Sequence, residues 1–270
     1  MAEPFDHAQD RQSRSPGDKT RNLNKETKHI DINADLGEGS GFDEAIMPLI
    51  SSCSIASGGH FGTEKTMRTA IRLAKQHNVK IGVHPSFPDK DNFGRKIITM
   101  TKNELTQTVF NQLIQFFALC ETEGATINHV KLHGALYNYA AKDAPTADAV
   151  VEAVLQTKVR PKLYVQHNSV LHRKAENLLP LEFEAFIDRR YNNDLSLVSR
   201  SEEGALIESP KDAWEQLFKM VSERKIQTIN SMAKPITAST YCIHGDNQHS
   251  IEILHHIHKQ MRVKGLTLDR

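Results

Sequence analysis

The sequence has few cysteines, no long apolar run and no excess of charge of either sign. Its three cysteines, Cys53, Cys120 and Cys242, are too few and too scattered for a disulfide framework, and no CxxC pair indicates a zinc or redox motif. No stretch approaches the length of a membrane span, and the chain does not start with the apolar run of a signal peptide. We therefore expect buried, reduced thiols in a cytoplasmic protein with no membrane partner.

The charges are nearly balanced, with 34 Lys and Arg against 33 Asp and Glu, a formal net charge of +1. This balance gives no reason to expect a nucleic-acid or anionic-membrane partner. The chain has 270 residues, a length that α/β barrels use for one domain.

The first segment, residues 1–28, is polar and charged, with almost no apolar residue after Phe5. Such a composition cannot bury enough surface to offset the entropy of ordering, so we predict a flexible polar arm. From His29 onward, short apolar runs alternate with helical periodicity, and we predict a single domain over residues 29–270.

Seven short β-favouring runs have one feature in common: each ends on polar or ionisable residues. The runs lead to Asn33, Asp35 and Glu38; to His60; to His84; to His133; to His167 and Asn168; to Asp188 and Arg189; and to His244 and Asp246. Helices fit between several of them. Thr101 and Glu104 form a capping box, Gly124 is placed to end that helix, and Ser209-Pro210 is typical of another helix start.

Strands that alternate with helices predict a mainly parallel sheet, either open or closed. In a closed barrel all strand C-termini meet at one face, whereas in an open sheet only those at the switch point meet. A barrel therefore explains more of the pattern, and it would bring the ionisable residues into one pocket.

Three chemistries are candidates for such a pocket. His60, His84, His133, His244 and Asp35 have the ligand types for a divalent metal that activates water, although no HExxH or HxH spacing is present. Metal-free acid–base catalysis would use Asp35 or Glu38 as base and a histidine as acid, with Lys131 binding an anion or forming an ion pair. Phosphate binding is disfavoured, because the glycine-rich stretch 37–41 lacks the GxxxxGK[ST] order and no lysine follows it. No GxSxG elbow indicates a serine hydrolase.

Seven sequence motifs that contain these residues resemble motifs of the LamB/YcsF family and occur in the same order. They stand at Asp31–Gly39, Ser54–Gly62, Gly82–Asp89, Asn92–Lys96, Val130–Asn138, Glu184–Tyr191 and Cys242–Asp246. The resemblance implies a seven-stranded (β/α) barrel of the glycoside hydrolase/deacetylase type. It also implies the A subunit of an ATP-dependent 5-oxoprolinase, which opens the lactam of 5-oxoproline to glutamate with partner subunits that handle ATP.

Two departures from the family pattern are Ser54 in place of Asn and Ser57 in place of Cys. The expected catalytic residues are Asp35, Glu38, His60, His84, Lys131 and His133. The expected substrate-binding residues are Asn33, Arg95, Asn138, Asp188, Arg189, His244 and Asp246. A metal-dependent deacetylase or amidohydrolase and a non-catalytic, diverged binding subunit stay open as alternatives, and the sequence leaves the need for a divalent metal undecided.

Overall fold

The computed structural model describes residues 1, 28–246 and 249–270. The polar arm predicted at residues 1–28 therefore lies almost wholly outside the described residues, and the first strand begins at Lys28. Within the described residues, seven parallel strands form the central sheet. They are β1 (Lys28–Leu36), β2 (Ser52–Ala56), β3 (Lys80–His84), β4 (Ile127–Val130), β5 (Lys162–Val165), β6 (Leu181–Phe186) and, later in the chain, β9 (Thr240–His244).

The central sheet is closed. Strand β1 pairs with β2 on one side and with β9 on the other, while β6 also pairs with β9. The predicted seven-stranded (β/α) barrel is thus confirmed, and its strand C-termini meet at one face. A short strand, β10 (Leu266–Leu268), continues the sheet beside the beginning of β1, and β7 (Lys225–Gln227) pairs with β8 (Ala233–Pro235) in a separate antiparallel ribbon.

The helices cover the outside of the barrel. They are α1 (Asp43–Ile46), α2 (Glu64–Gln76), α3 (Lys102–Thr122), α4 (Gly134–Ala140), α5 (Ala144–Gln156), α6 (Val170–Ala175), α7 (Pro210–Glu223) and α8 (His249–Lys264), with a 3₁₀ turn at Met47–Leu49. Within the described part of the chain, every helix is too short or too polar to span a bilayer.

The helix starts follow the local chemistry of the sequence. Thr101 accepts a hydrogen bond from the backbone N–H of Glu104, and the Glu104 carboxylate accepts one from the backbone N–H of Thr101. This confirms the predicted capping box. Ser209 caps α7, with Pro210 in its first turn, and Gly124 follows α3 in the left-handed conformation at φ +61°.

The barrel interior contains a buried polar layer below the strand ends. His129 stacks on Tyr164, with ring centroids 3.9 Å apart, and its Nε2 lies 3.1 Å from the hydroxyl of Ser54. Gly82 faces this ring, because a Cβ at that position would overlap His129 Nε2. The layer thus depends on a glycine and on the serine that replaces the family asparagine.

The three cysteines are free and buried, as expected. Burial raises the pKa of all three thiols, that of Cys120 to about 12. They therefore stay protonated and unreactive at neutral pH.

Candidate functional site

The C-terminal face of the barrel opens into a cavity of about 260 Å³. This volume is slightly below the usual range for ligand pockets, about 300–1,000 Å³, and suits a small molecule. Nine of the thirteen predicted site residues line it: Asp35, Glu38, Arg95, Lys131, His133, Asn138, Arg189, His244 and Asp246. The convergence expected from strand ends is therefore present for most of the set.

Lys131 forms the floor of the cavity. It follows β4, is only 1% exposed, and its Nζ lies 2.8 Å from Asp35 Oδ1 and 2.8 Å from Glu184 Oε1. Burial opposes the ammonium charge, but Asp35 and the neighbouring acids outweigh it and hold the pKa of Lys131 well above its ordinary value. Of the two predicted roles of Lys131, the structure shows the ion pair, and the side chain also lines the cavity.

Asp35 is held as a carboxylate at the end of β1. Its burial would raise the carboxyl pKa, but His84 and Lys131 lower the pKa well below the ordinary value. His84 Nε2 lies 3.4 Å from Asp35 Oδ2. The cavity therefore contains an ionised acid whose position is fixed from two sides.

Glu38 and three histidines form a compact group beside Asp35. Glu38 Oε1 lies 2.9 Å from His60 Nε2, 3.3 Å from His133 Nδ1 and 3.8 Å from His84 Nε2. Burial lowers the pKa of His60 to about 4 and also lowers that of His133, whereas Asp35 raises the pKa of His84 against the effect of burial. Gly94 packs against this group, because a Cβ there would lie 2.8 Å from His60 Cβ and 2.9 Å from His133 Cδ2.

The mouth of the cavity is cationic. Asp246 Oδ2 accepts hydrogen bonds from Arg95 at 3.1 Å and from Arg200 at 3.2 Å, and Arg189 also lines the wall. Two guanidinium groups on Asp246 and a third in the cavity wall favour the entry of an anionic ligand. His244 is fixed by Asp188, whose carboxylate accepts from its backbone N–H at 2.9 Å.

Four of the predicted site residues lie behind the cavity wall. Asn33 is fully buried and its Oδ1 accepts from Lys131 Nζ at 3.1 Å, so it supports the lysine from below. His60 and His84 lie behind Glu38 and His133, and Asp188 lies behind His244. None of these four lines the cavity directly.

Two functional side chains were missed in the sequence. Glu184 lies within β6 and binds Lys131, and the available signal was an acid on an inward-facing strand position that needs a cation. Arg200 lies in the connection after β6 and reaches Asp246, and nothing in its local sequence separates it from the other arginines.

The two serines that depart from the family pattern lie outside the cavity wall. Ser54 binds His129 within the barrel, and Ser57 donates to Gln112 Oε1 at 3.2 Å. Gln112 in turn donates to the backbone oxygen of Ser86 at 2.8 Å. Both substitutions therefore change packing and hydrogen bonds behind the cavity.

Known proteins are similar to this chain in sequence and in fold. Two relatives are the 5-oxoprolinase subunits A of Haemophilus influenzae (strain PittEE), 43% identical over 235 residues (87% of this chain and 96% of the relative), and of Histophilus somni (strain 129Pt), 38% identical over 240 residues (88% and 97%). The crystal structure of the lactam utilization protein from Thermus thermophilus superposes with a TM-score of 0.82 at 34% identity, covering 89% of this chain and 98% of that one. The LamB/YcsF family model matches residues 30–270, and the chain belongs to the LamB/YcsF family.

Proposed function

We propose that this chain is the A subunit of an ATP-dependent 5-oxoprolinase and hydrolyses the lactam of 5-oxoproline to glutamate. The observation that carries the proposal is Asp35, held as a carboxylate beside the buried Lys131, at the floor of a small cavity with a cationic mouth. The names of the relatives, at up to 43% identity over most of the chain, supply the substrate. In the reaction the ring C–N bond breaks, the oxygen of water joins the carbonyl carbon, and a proton goes to the nitrogen.

The proposed role of each cavity residue depends on its position. The arginines at the mouth, Arg95 and Arg200 together with Arg189, attract the carboxylate of 5-oxoproline. Asp35, kept ionised by Lys131, accepts the proton of the attacking water. Lys131 acts by holding Asp35 in place, because its ammonium group is engaged by Asp35, Glu184 and Asn33.

The role of ATP is assigned to partner subunits. The sequence contains no GxxxxGK[ST] motif, and the glycine-rich turn at 37–41 carries Glu38, which would repel phosphate. Hydrolysis of an unactivated lactam is coupled to ATP in this proposal, so this chain alone is expected to release no glutamate.

The test is glutamate release from 5-oxoproline and ATP, with and without the other 5-oxoprolinase subunits. Asp35→Asn keeps the side-chain shape and removes the base, so turnover should fall by at least about 100-fold. Asp148→Asn is the matched control, because the Asp148 side chain is 41% exposed and pairs with Lys174 away from the cavity lining. The absence of turnover in every combination of subunits would overturn the proposal.

A further inference from the structure

Four donor side chains meet at the edge of the cavity, which Glu38 and His133 line. Glu38, His60, His84 and His133 each offer one ligand atom, and these atoms all lie within 4.8 Å of one another. They come from the C-terminal ends of β1 to β4, four strands that are neighbours in the barrel. All four side chains are buried or nearly so, so the group is dry and closely packed.

The hydrogen bonds fix the tautomers of two of the histidines. His84 Nδ1 lies 2.7 Å from the carbonyl oxygen of Lys131, and His133 Nε2 lies 2.9 Å from the carbonyl oxygen of Phe93. A carbonyl oxygen can only accept, so both of these nitrogens must carry hydrogen. In the neutral form of each ring the other nitrogen, His84 Nε2 or His133 Nδ1, presents a lone pair.

These two lone-pair nitrogens lie 3.0 Å apart. Two lone pairs at this distance repel unless a cation lies between or beside them. Glu38 Oε1 faces the same point and adds negative charge, at 3.3 Å from His133 Nδ1 and 3.8 Å from His84 Nε2. The arrangement therefore requires positive charge, either as a proton or as a metal ion.

The spacing of the three atoms fits a metal ion. Bonds of about 2.0–2.1 Å at the tetrahedral angle place ligand atoms about 3.4 Å apart. The three observed separations, 3.0, 3.3 and 3.8 Å, bracket that value. The backbone carbonyls that fix His84 and His133 are also the outer-shell partners that metal-binding histidines use.

The charge of the surrounding residues also favours a bound cation. Asp35, Glu38 and Glu184 bring three carboxyl groups to this part of the barrel, and among the described residues Lys131 is the single ammonium that pairs with them there. A dication would balance the remaining negative charge.

We infer that a divalent transition-metal cation binds at this point, with Glu38 Oε1, His84 Nε2 and His133 Nδ1 as ligands. His60 stacks flat on His133, with ring centroids 3.6 Å apart and planes 2° apart, and its Nε2 holds Glu38. Nitrogen and carboxylate donors in a tetrahedral arrangement suit Zn²⁺ or Co²⁺. A fourth ligand would come from the cavity, which Glu38 and His133 line. The inference deepens the proposed function at the same site.

The test measures binding rather than turnover, so the two proposals can fail separately. Full-length chain is stripped with a chelator, dialysed and titrated with Co²⁺ and Zn²⁺ by calorimetry, and Co²⁺ is also followed by its visible absorption. One equivalent of Co²⁺ should bind, with the intense bands of a four-coordinate site. Glu38→Gln and His84→Asn should each weaken binding by at least about 100-fold, more than loss of an outer-shell partner costs.

The matched control is His255→Asn, because His255 is an exposed histidine on α8. Circular dichroism establishes that each variant is folded, and Glu38→Gln keeps the side-chain shape if His84→Asn does not fold. Absence of stoichiometric binding, or equal binding by Glu38→Gln and wild type, would overturn the inference and leave a proton between His84 and His133. Glutamate release by the metal-free chain together with the other 5-oxoprolinase subunits and ATP would show that the proposed function stands without the metal.

Discussion

Replacement of Lys131 by methionine tests whether the buried ion pairs organise the barrel floor. The substitution keeps a long unbranched side chain but leaves Asp35 and Glu184, both buried, without the ammonium that lies 2.8 Å from each. Breaking a buried pair by removing one partner costs about 3–5 kcal/mol of unfolding free energy, because an uncompensated charge stays in the interior.

The matched control is Lys162→Met. Lys162 Nζ lies at the same distance, 2.8 Å, from Glu182 Oε2, but its side chain is 48% exposed. An exposed pair contributes only about 0–1 kcal/mol, since water screens the charges. Equilibrium denaturation in urea, which adds no salt, measures both variants, and equal losses in the two would refute the argument from burial.

The pH dependence supplies a second check on the same pair of variants. In the wild type the pKa of Asp35 lies below its unfolded value, so Asp35 contributes stability above the unfolded pKa that is lost as the pH falls. Without Lys131 the buried carboxyl groups favour their protonated forms. The free-energy cost of keeping them buried in the folded state therefore grows as the pH rises. The deficit of Lys131→Met should therefore be larger at pH 8 than at pH 5, and the reverse order would contradict the account.

Three further predictions concern residues outside the cavity. Gly82→Ala should destabilise by about 2 kcal/mol in denaturant unfolding, because the new Cβ collides with the His129 ring; a neutral result would show that the ring can move. Thr101→Ala should cost about 1 kcal/mol in the same assay through loss of the α3 cap, and no loss would refute the capping assignment. Ser57→Cys should change glutamate release by less than about twofold, since Ser57 contacts Gln112 behind the wall; a gain of about tenfold or more would place the residue in the chemistry.

The fold was accessible from the sequence because its signals are local. Each barrel strand is a short apolar run that ends on a polar residue, and the caps at Thr101 and Ser209 depend on neighbours three residues away. Closure of the barrel followed from chemistry, because only closure brings seven strand ends together.

The depth of each side chain could not be predicted in the same way. Alternation places Asn33 and Asp35 on one face of β1, but two residues at about 3.3 Å each set Asn33 about 6.6 Å deeper, below Lys131. His60 and His84 follow strand ends like His133, yet they lie behind the wall, and that difference depends on three-dimensional packing. Arg200 lies in an irregular connection whose path no local pattern fixes.

The yield of glutamate per ADP formed, measured when this chain is added to the other 5-oxoprolinase subunits with 5-oxoproline and ATP, tests the proposed function most directly. We expect glutamate and ADP in a one-to-one ratio with the wild-type chain, and no glutamate when the chain is omitted or carries Asp35→Asn. Glutamate formed at the same rate without the chain, or with Asp35→Asn, would contradict the proposed function.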